Sequence, residues 1–351
     1  MAAMPRVVLT NCVFAETRAL LEQHATVLAN ESPEPWPRDE VRRRCRDAVG
    51  LLAFMTDHID ETFLAGCPAL RVIGAALKGY DNIDVEAATA AGVWVTIVPD
   101  LLTVPTAELA IGLMLSLGRN IVAGDRVIKE RGFHGWRPQL YGSGLAGTTV
   151  GLVGFGLVGR AIAERLVGFQ CRLLACDDVA SAPPAELASQ MTMTSFSQVV
   201  TDSDYLVLAL PLTPRTRHMI DAETIARMKS GALLVNPARG SLVDEAAVAD
   251  AIARGHLAGY AADVFECEDW ARPNRPAAID ARLTDWSAPT VFTPHIGSGV
   301  TRVRREIELS AARSILDVLA GRRPRHAVNN PTNEAIDAQS DPYQDLPGRS
   351  V

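Results

Sequence analysis

Short runs of apolar and β-branched residues alternate along the chain with stretches whose apolar positions recur every three or four residues. This alternation predicts βαβ units and parallel sheets, because a strand buried on both faces reads as an unbroken apolar run. In the first third the pattern predicts strands over Arg6–Thr10, Ala25–Leu28, Gly50–Met55, Arg71–Leu77 and Val93–Val98. Helical spacing falls between them at Asp39–Ala48, Asp60–Ala65 and Val85–Ala91. A longer apolar stripe starts near Thr106, in "TVPTAELAIGLMLSLGRNIVAGDRVIKE". With no proline after Pro105 it predicts one long helix connecting two domains.

A second series follows, with strands at Thr148–Val153, Arg172–Cys176, Tyr205–Leu210, Ala232–Asn236, Gly259–Asp263 and Thr290–Thr293. Its helices are expected at Gly159–Leu166, Ala222–Met228 and Asp244–Arg254. A last helix, Arg302–Ala320, is assigned back to the first domain. The expected fold class is therefore α/β in two domains, residues 1–100 plus 302–330 and residues 101–301. Residues 331–351 read as a polar tail without periodicity.

Length and composition narrow the possibilities. A chain of 351 residues that is 48% hydrophobic and 21% charged suits two well-packed cores. The net charge is −7 and no basic run exceeds Arg42-Arg43-Arg44, so a nucleic-acid partner is not expected. A small anionic substrate remains compatible, since the field of a pocket can oppose the global charge. The most apolar helix, "AELAIGLMLSLG", carries Glu108 and is too short to span a bilayer, so no membrane association is expected. Six cysteines show no CxxC pair and no zinc spacing, and the N-terminus lacks a secretion pattern. These features lead us to expect a cytoplasmic location and no metal.

The most specific local signal is "TVGLVGFGLVGRAIAERL". Gly154, Gly156 and Gly159 satisfy G-x-G-x-x-G directly after a strand and at a helix start. The first glycine permits the turn, the second lets a pyrophosphate approach the backbone, and the third lets helix and strand pack closely. Asp177 ends the next strand, 23 residues after Gly154, where its carboxylate would accept from ribose hydroxyls. Asp178 follows, and two carboxylates there repel a 2′-phosphate, so NAD is expected in preference to NADP. A polar loop alone could also begin with two aspartates.

Three later stretches put polar residues at strand ends: "LLVNPARGSLVDE" with Asn236 and Arg239, "GYAADVFECEDW" with Asp263, Glu266 and Glu268, and "TVFTPHIGSGVTRVRREIE" with His295. The carboxyl ends of strands line the ligand crevice of a doubly wound sheet. Singly, an arginine after a strand is usually a surface ion-pair partner and a histidine is usually structural. Together they offer an anion clamp and a histidine–carboxylate pair, which hydride chemistry coupled to proton transfer needs. Earlier in the chain, "AALKGYDNID" places Lys78 at a strand exit. Lysine there is ordinarily solvated.

The glycine motif, "NPARG", "AADVFE" and "TPHIG", in that order over residues 5 to 325, resemble the D-2-hydroxyacid dehydrogenase family. Within it, "RRRCRDA", "LLAFM", "ALKGYDNID", "VPDLLTVPTAELAIGL" and "FTPHIGSGV" are most similar to the phosphonate dehydrogenase branch, NAD-dependent enzymes that oxidise phosphite to phosphate. The resemblance implies two Rossmann-like domains with the active site in the cleft between them, the first binding substrate and the second NAD. It implies Arg239, Glu268, His295 and Lys78 as catalytic residues, with Glu268 rather than Glu266 paired to His295. Lys78 would supply charge to a small tetrahedral oxyanion, beside Arg239, Met55, Trp136, Tyr141 and Arg304. Cofactor contacts are expected from Phe155, Leu157 and Val158 between the glycines, and from Thr106, Pro211 and Asp263. A homodimer formed through the helix after Pro105, with Leu109, Ile111, Leu113, Met114 and Leu117, is also implied. Two other readings use the same residues: a D-2-hydroxyacid dehydrogenase or glyoxylate-type reductase, and an NAD-sensing binding protein. "RVRRE" around Arg304 could equally be a solvated helix face.

Overall fold

The computed structural model describes residues 4–179 and 182–331, so the expected tail lies, from residue 332, outside the described part. The chain divides into two compact units, residues 4–102 with 301–331 and residues 103–300.

The first unit runs β1 (Arg6–Leu9), α1 (Ala15–Glu22), β2 (Thr26–Ala29), α2 (Arg38–Cys45), β3 (Gly50–Ala53), α3 (Glu61–Ala65), β4 (Val72–Ala75), α4 (Val85–Ala90) and β5 (Trp94–Thr96). Its five strands are all parallel in the order β2-β1-β3-β4-β5. β3 and β4 are buried throughout, which is why "GLLA" and "VIGA" show no polar alternation. The second unit runs α5 (Thr103–Gly118), α6 (Ile121–Arg131), β6 (Thr149–Val153), α7 (Leu157–Leu166), β7 (Arg172–Cys176), β8 (Met191–Met193), α8 (Phe196–Asp202) and β9 (Tyr205–Leu208). It continues with α9 (Ala222–Arg227), β10 (Ala232–Asn236), α10 (Glu245–Ala253), β11 (Leu257–Ala262), α11 (Ala281–Thr284) and β12 (Thr290–Phe292). The chain then returns to the first unit as α12 (Thr301–Leu319).

Small residues in the first sheet let α12 approach. A Cβ on Gly74 would lie 2.8 Å from the Ala311 carbonyl oxygen, and one on Gly50 would lie 2.8 Å from Ile315 Cγ2. The close packing leaves Ile307 and Ile315 with no exposed surface. The second sheet is parallel in the order β12-β11-β10-β9-β6-β7-β8. Strand order reverses between β6 and β9, and such a switch point opens a crevice at the carboxyl ends of the strands.

The helix after Pro105 is not continuous. It breaks into α5 and α6, bent by 60°, because Asn120 takes a left-handed conformation (φ 52°) that asparagine tolerates. The apolar residues expected to form a dimer face are largely used at home. Ile111, Leu113, Met114 and Leu117 are buried in the core of the second unit, and Leu109 packs against it. Strands β3 and β4 also end two residues early, at Ala53 and Ala75, which leaves Met55 and Lys78 in loops. No helix among the described residues is by itself long and apolar enough to cross a membrane.

Candidate active site

The turn after β6 is built for a phosphate. Gly154 has φ 95°, and a Cβ there would lie 2.4 Å from the Ala209 carbonyl oxygen at the end of β9. A Cβ on Gly159 would lie 2.3 Å from the Gly154 carbonyl oxygen, so only glycine lets α7 seat against the turn. Gly156 is exposed and a Cβ there would meet nothing within 4 Å, while no side chain caps α7. The first amides of α7 therefore remain available as donors to an anion. Asp177 is already held: its carboxylate accepts from Phe155 N at 2.7 Å and from Val179 N at 2.9 Å. Leu157 and Val158 lie at the mouth of the turn, exposed and half-buried, whereas Phe155 is 1% exposed and its ring belongs to the core. Phe155 thus shapes the turn from behind rather than contacting a cofactor with its side chain. Pro211 is exposed just beyond β9, where its carbonyl accepts from Thr216 Oγ1 at 2.9 Å.

The histidine–carboxylate pair forms at the ends of β11 and β12. His295 Nδ1 and Glu268 Oε2 are 2.8 Å apart, and Glu268 Oε1 accepts from Phe265 N at 2.8 Å. Both side chains are partly exposed, and the hydrogen bond to Glu268 uses Nδ1 of the imidazole. Glu266 points elsewhere: it is 6% exposed, paired with His218 and Arg272. His295 itself sits at φ 54°, a strained conformation for a non-glycine residue, and Asp263 holds it there. Asp263 is 1% exposed, and its carboxylate accepts from Thr293 Oγ1 (2.6 Å), Ile296 N (2.8 Å) and Gly297 N (2.7 Å). Burial raises its pKa against these donors. Asp263 thus organises the histidine turn through its carboxylate. A Cβ on Gly297 would lie 3.3 Å from Thr106 Oγ1, which places half-buried Thr106 beside that turn.

Arg239 follows β10 and is half-buried, its Nη1 donating to the Ala238 carbonyl at 2.8 Å. Asn236 fixes this segment by donating to the Arg239 carbonyl at 2.8 Å and accepting from Ala238 N at 3.1 Å. In the first unit the loops of Met55 and Lys78 are tied together by Asn82, which donates to the carbonyls of Phe54 (3.1 Å) and Asp57 (2.6 Å). Lys78 is half-buried, and burial lowers its pKa while the charge of Asp100 opposes the shift. Among the described residues its ammonium has no ion pair. Arg304 is not on a solvated face: it is half-buried, donates to the Ala76 carbonyl at 3.3 Å and lies over the Phe54 ring at 5.8 Å. Burial lowers its pKa, with Glu308 opposing.

Residues 111–297 match the family described as D-isomer specific 2-hydroxyacid dehydrogenase, NAD binding domain. The chain belongs to this family. Over 331 residues it is 36% identical to a glyoxylate reductase of Thermofilum pendens, covering 93% of this chain and 95% of the relative. A glyoxylate reductase of Pyrococcus furiosus is 34% identical over the same shares. Among solved structures, a Thermus thermophilus protein aligns with a TM-score of 0.82 at 33% identity, over 92% of this chain and all of that one. A glyoxylate reductase from Paecilomyes thermophila aligns with a TM-score of 0.77 at 26% identity, over 93% and 99%.

This dehydrogenase is thus an NAD-binding oxidoreductase, and the open Gly156 face and uncapped α7 fit the cofactor's pyrophosphate. Trp136 and Tyr141 are 80% and 74% exposed, in a stretch of the second unit without regular structure. No apolar neighbour within their own unit covers them. The sequence reading missed Ser241 and Arg272 as parts of the site's support. Arg272 falls between tryptophan and proline in a stretch with no period, so nothing marked it.

Proposed function

We propose that this dehydrogenase oxidises phosphite to phosphate with NAD. The observation that carries the reading is Lys78, a half-buried cation without an ion pair among the described residues, in addition to the cation of Arg239. Phosphite carries up to two negative charges and no carbon, so it calls for two cations where a hydroxyacid carboxylate calls for one. In this reading, as the resemblance implies, the cations of Arg239 and Lys78 are assigned to its oxygens and to the charge that grows as water adds. His295, oriented through Nδ1 by Glu268, removes a proton from that water at Nε2. The water oxygen forms a P–O bond, the P–H bond breaks, and its hydrogen departs with both electrons. NAD, when bound at the turn after β6, supplies the hydride acceptor. The acids Asp177 and Asp178 support NAD over NADP, and six free thiols support a reducing, cytoplasmic setting.

A second reading has its own support. The relatives above are named glyoxylate reductases, which favours a 2-hydroxyacid dehydrogenase or glyoxylate-type reductase. Arg239 would then bind the carboxylate and His295 would exchange the hydroxyl proton. The names weigh toward this reading and Lys78 toward the first. Following NADH formation with phosphite, lactate and glycerate, and NADH loss with glyoxylate, separates them. Turnover of phosphite well above the others supports the first reading, and turnover of the organic acids alone replaces it with the second.

A further inference from the structure

Behind Arg239 and Glu268 lies a network of charged groups that the proposed chemistry does not use. Arg239 leads into a tight turn, Gly240–Leu242, and Glu268 ends another, Glu266–Glu268. The two turns touch through backbone, since a Cβ on Gly240 would lie 1.9 Å from the Phe265 carbonyl carbon. One guanidinium bridges them. Arg272 Nη1 donates to Ser241 Oγ at 2.7 Å, on the Arg239 side, and to Glu266 Oε1 at 3.3 Å, on the Glu268 side. Ser241 Oγ donates in turn to Asp269 Oδ2 at 2.8 Å, and Asp269 directly follows Glu268. Glu266 and Asp269 have side chains only 8% and 7% exposed, so their charges depend on this partner. From the other elements packed here, His218 pairs with Glu266, and Glu245 accepts from Glu266 N at 2.8 Å.

We propose that Arg272 is a positioning residue: its guanidinium locks the turn carrying Arg239 to the turn carrying Glu268 and so sets the direction of the Glu268–His295 hydrogen bond. A planar guanidinium whose Nη1 donates to both a hydroxyl and a carboxylate fixes distance and angle, which the point charge of lysine does not. The inference rests on the assignment of Arg239, Glu268 and His295 to the site, and holds for phosphite or a hydroxyacid alike.

The test has one arm that needs no substrate. The imidazole N–H proton of His295, hydrogen-bonded to a carboxylate, gives a downfield proton NMR signal, assigned by its loss in His295→Gln and its persistence in His218→Gln. In Arg272→Met that signal should disappear or move upfield. With the substrate that the wild type turns over, kcat should fall by about 10-fold to 100-fold, the scale of a small misplacement of reacting groups. KM should move less, NADH affinity and melting temperature should hold, and added guanidine should restore part of kcat. Arg272→Lys should recover only a fraction. Should Arg272→Met fail to fold, Ser241→Ala removes one arm of the bridge and should shift the same signal. An unchanged His295 signal with near-normal kcat overturns the proposal. So does a loss of kcat that follows NADH affinity and melting temperature downward, which marks a folding role only. If the wild type turns over neither phosphite nor a 2-hydroxyacid, the functional reading fails, and the NMR arm still decides the role of Arg272.

Discussion

Lys78 shows how a single side chain can separate stability from function. Holding its ammonium half-buried costs the folded protein free energy, because burial lowers its pKa: at any pH below the folded value the unfolded chain solvates the cation better. Lys78→Met should therefore leave the melting temperature unchanged or raise it. If the ammonium pairs with substrate, the same change removes a charge-assisted hydrogen bond, on the order of 2–4 kcal/mol in the transition state. The fall in kcat/KM for phosphite should be roughly 30-fold to 1,000-fold. Activity within about twofold of wild type, measured beside the melting temperature, would show a bystander lysine and remove the main support for phosphite.

The contact between turn and helix sets the cofactor site at the level of elements. Gly154, Gly156 and Gly159 serve three different needs, and each is visible as what a methyl group would strike. Gly159→Ala would put a carbon 2.3 Å from the Gly154 carbonyl oxygen, so α7 has to move off the end of β6. Overpacking of this kind costs about 1–3 kcal/mol of stability. Moving the α7 amides should also weaken NADH binding by roughly tenfold or more, read by fluorescence titration. A mutant that binds NADH normally would mean that the phosphate is held elsewhere.

At the scale of the whole molecule two properties can be checked. Burial pushes the Glu245 carboxyl up to about 7, with a donated amide from Glu266 working against it. The group is neutral in both states below the unfolded value, so stability is full there. Stability then falls as pH rises toward 7, because the unfolded chain gives up its proton first. Glu245→Gln removes that loss, so the mutant should gain on wild type between pH 5 and pH 8 by on the order of 3 kcal/mol, read as a growing difference in urea unfolding. A difference that stays flat with pH would show that Glu245 is ionised in the fold. Association is the other property. With most apolar α5 residues committed to the core, Ile121, Ile128, Phe133, Trp136 and Tyr141 along and after α6 remain exposed and available to a second copy. Light scattering should report a dimer at micromolar concentration, and charged residues at Ile121 and Ile128 should break it. A monomeric wild type would end that expectation.

Much of this protein was legible in its residues because the relevant physics is local. A parallel strand buried on both faces must be continuously apolar, and a glycine turn before a helix must carry G-x-G-x-x-G, so the two sheets and the cofactor turn followed from pattern. Glu268 rather than Glu266 as the partner of His295 followed only from likeness to a family, and the structure shows the reason: Glu266 is taken by His218 and Arg272. Pattern alone could not reach what depends on contacts distant in sequence. β8 is three residues long and shows no period. The break at Asn120 is a backbone conformation, for which the apolar stripe around it gives no sign. The strand-end position of Asp263 gave no sign of the three donors that its carboxylate takes from the β12 turn. For Arg304, implied as a substrate residue, the sequence left a solvated helix face open, and only the return of α12 onto β4 shows it half-buried. Burial and partner choice are set by the assembled chain, and they decided which charged residues support the site and which are available to act.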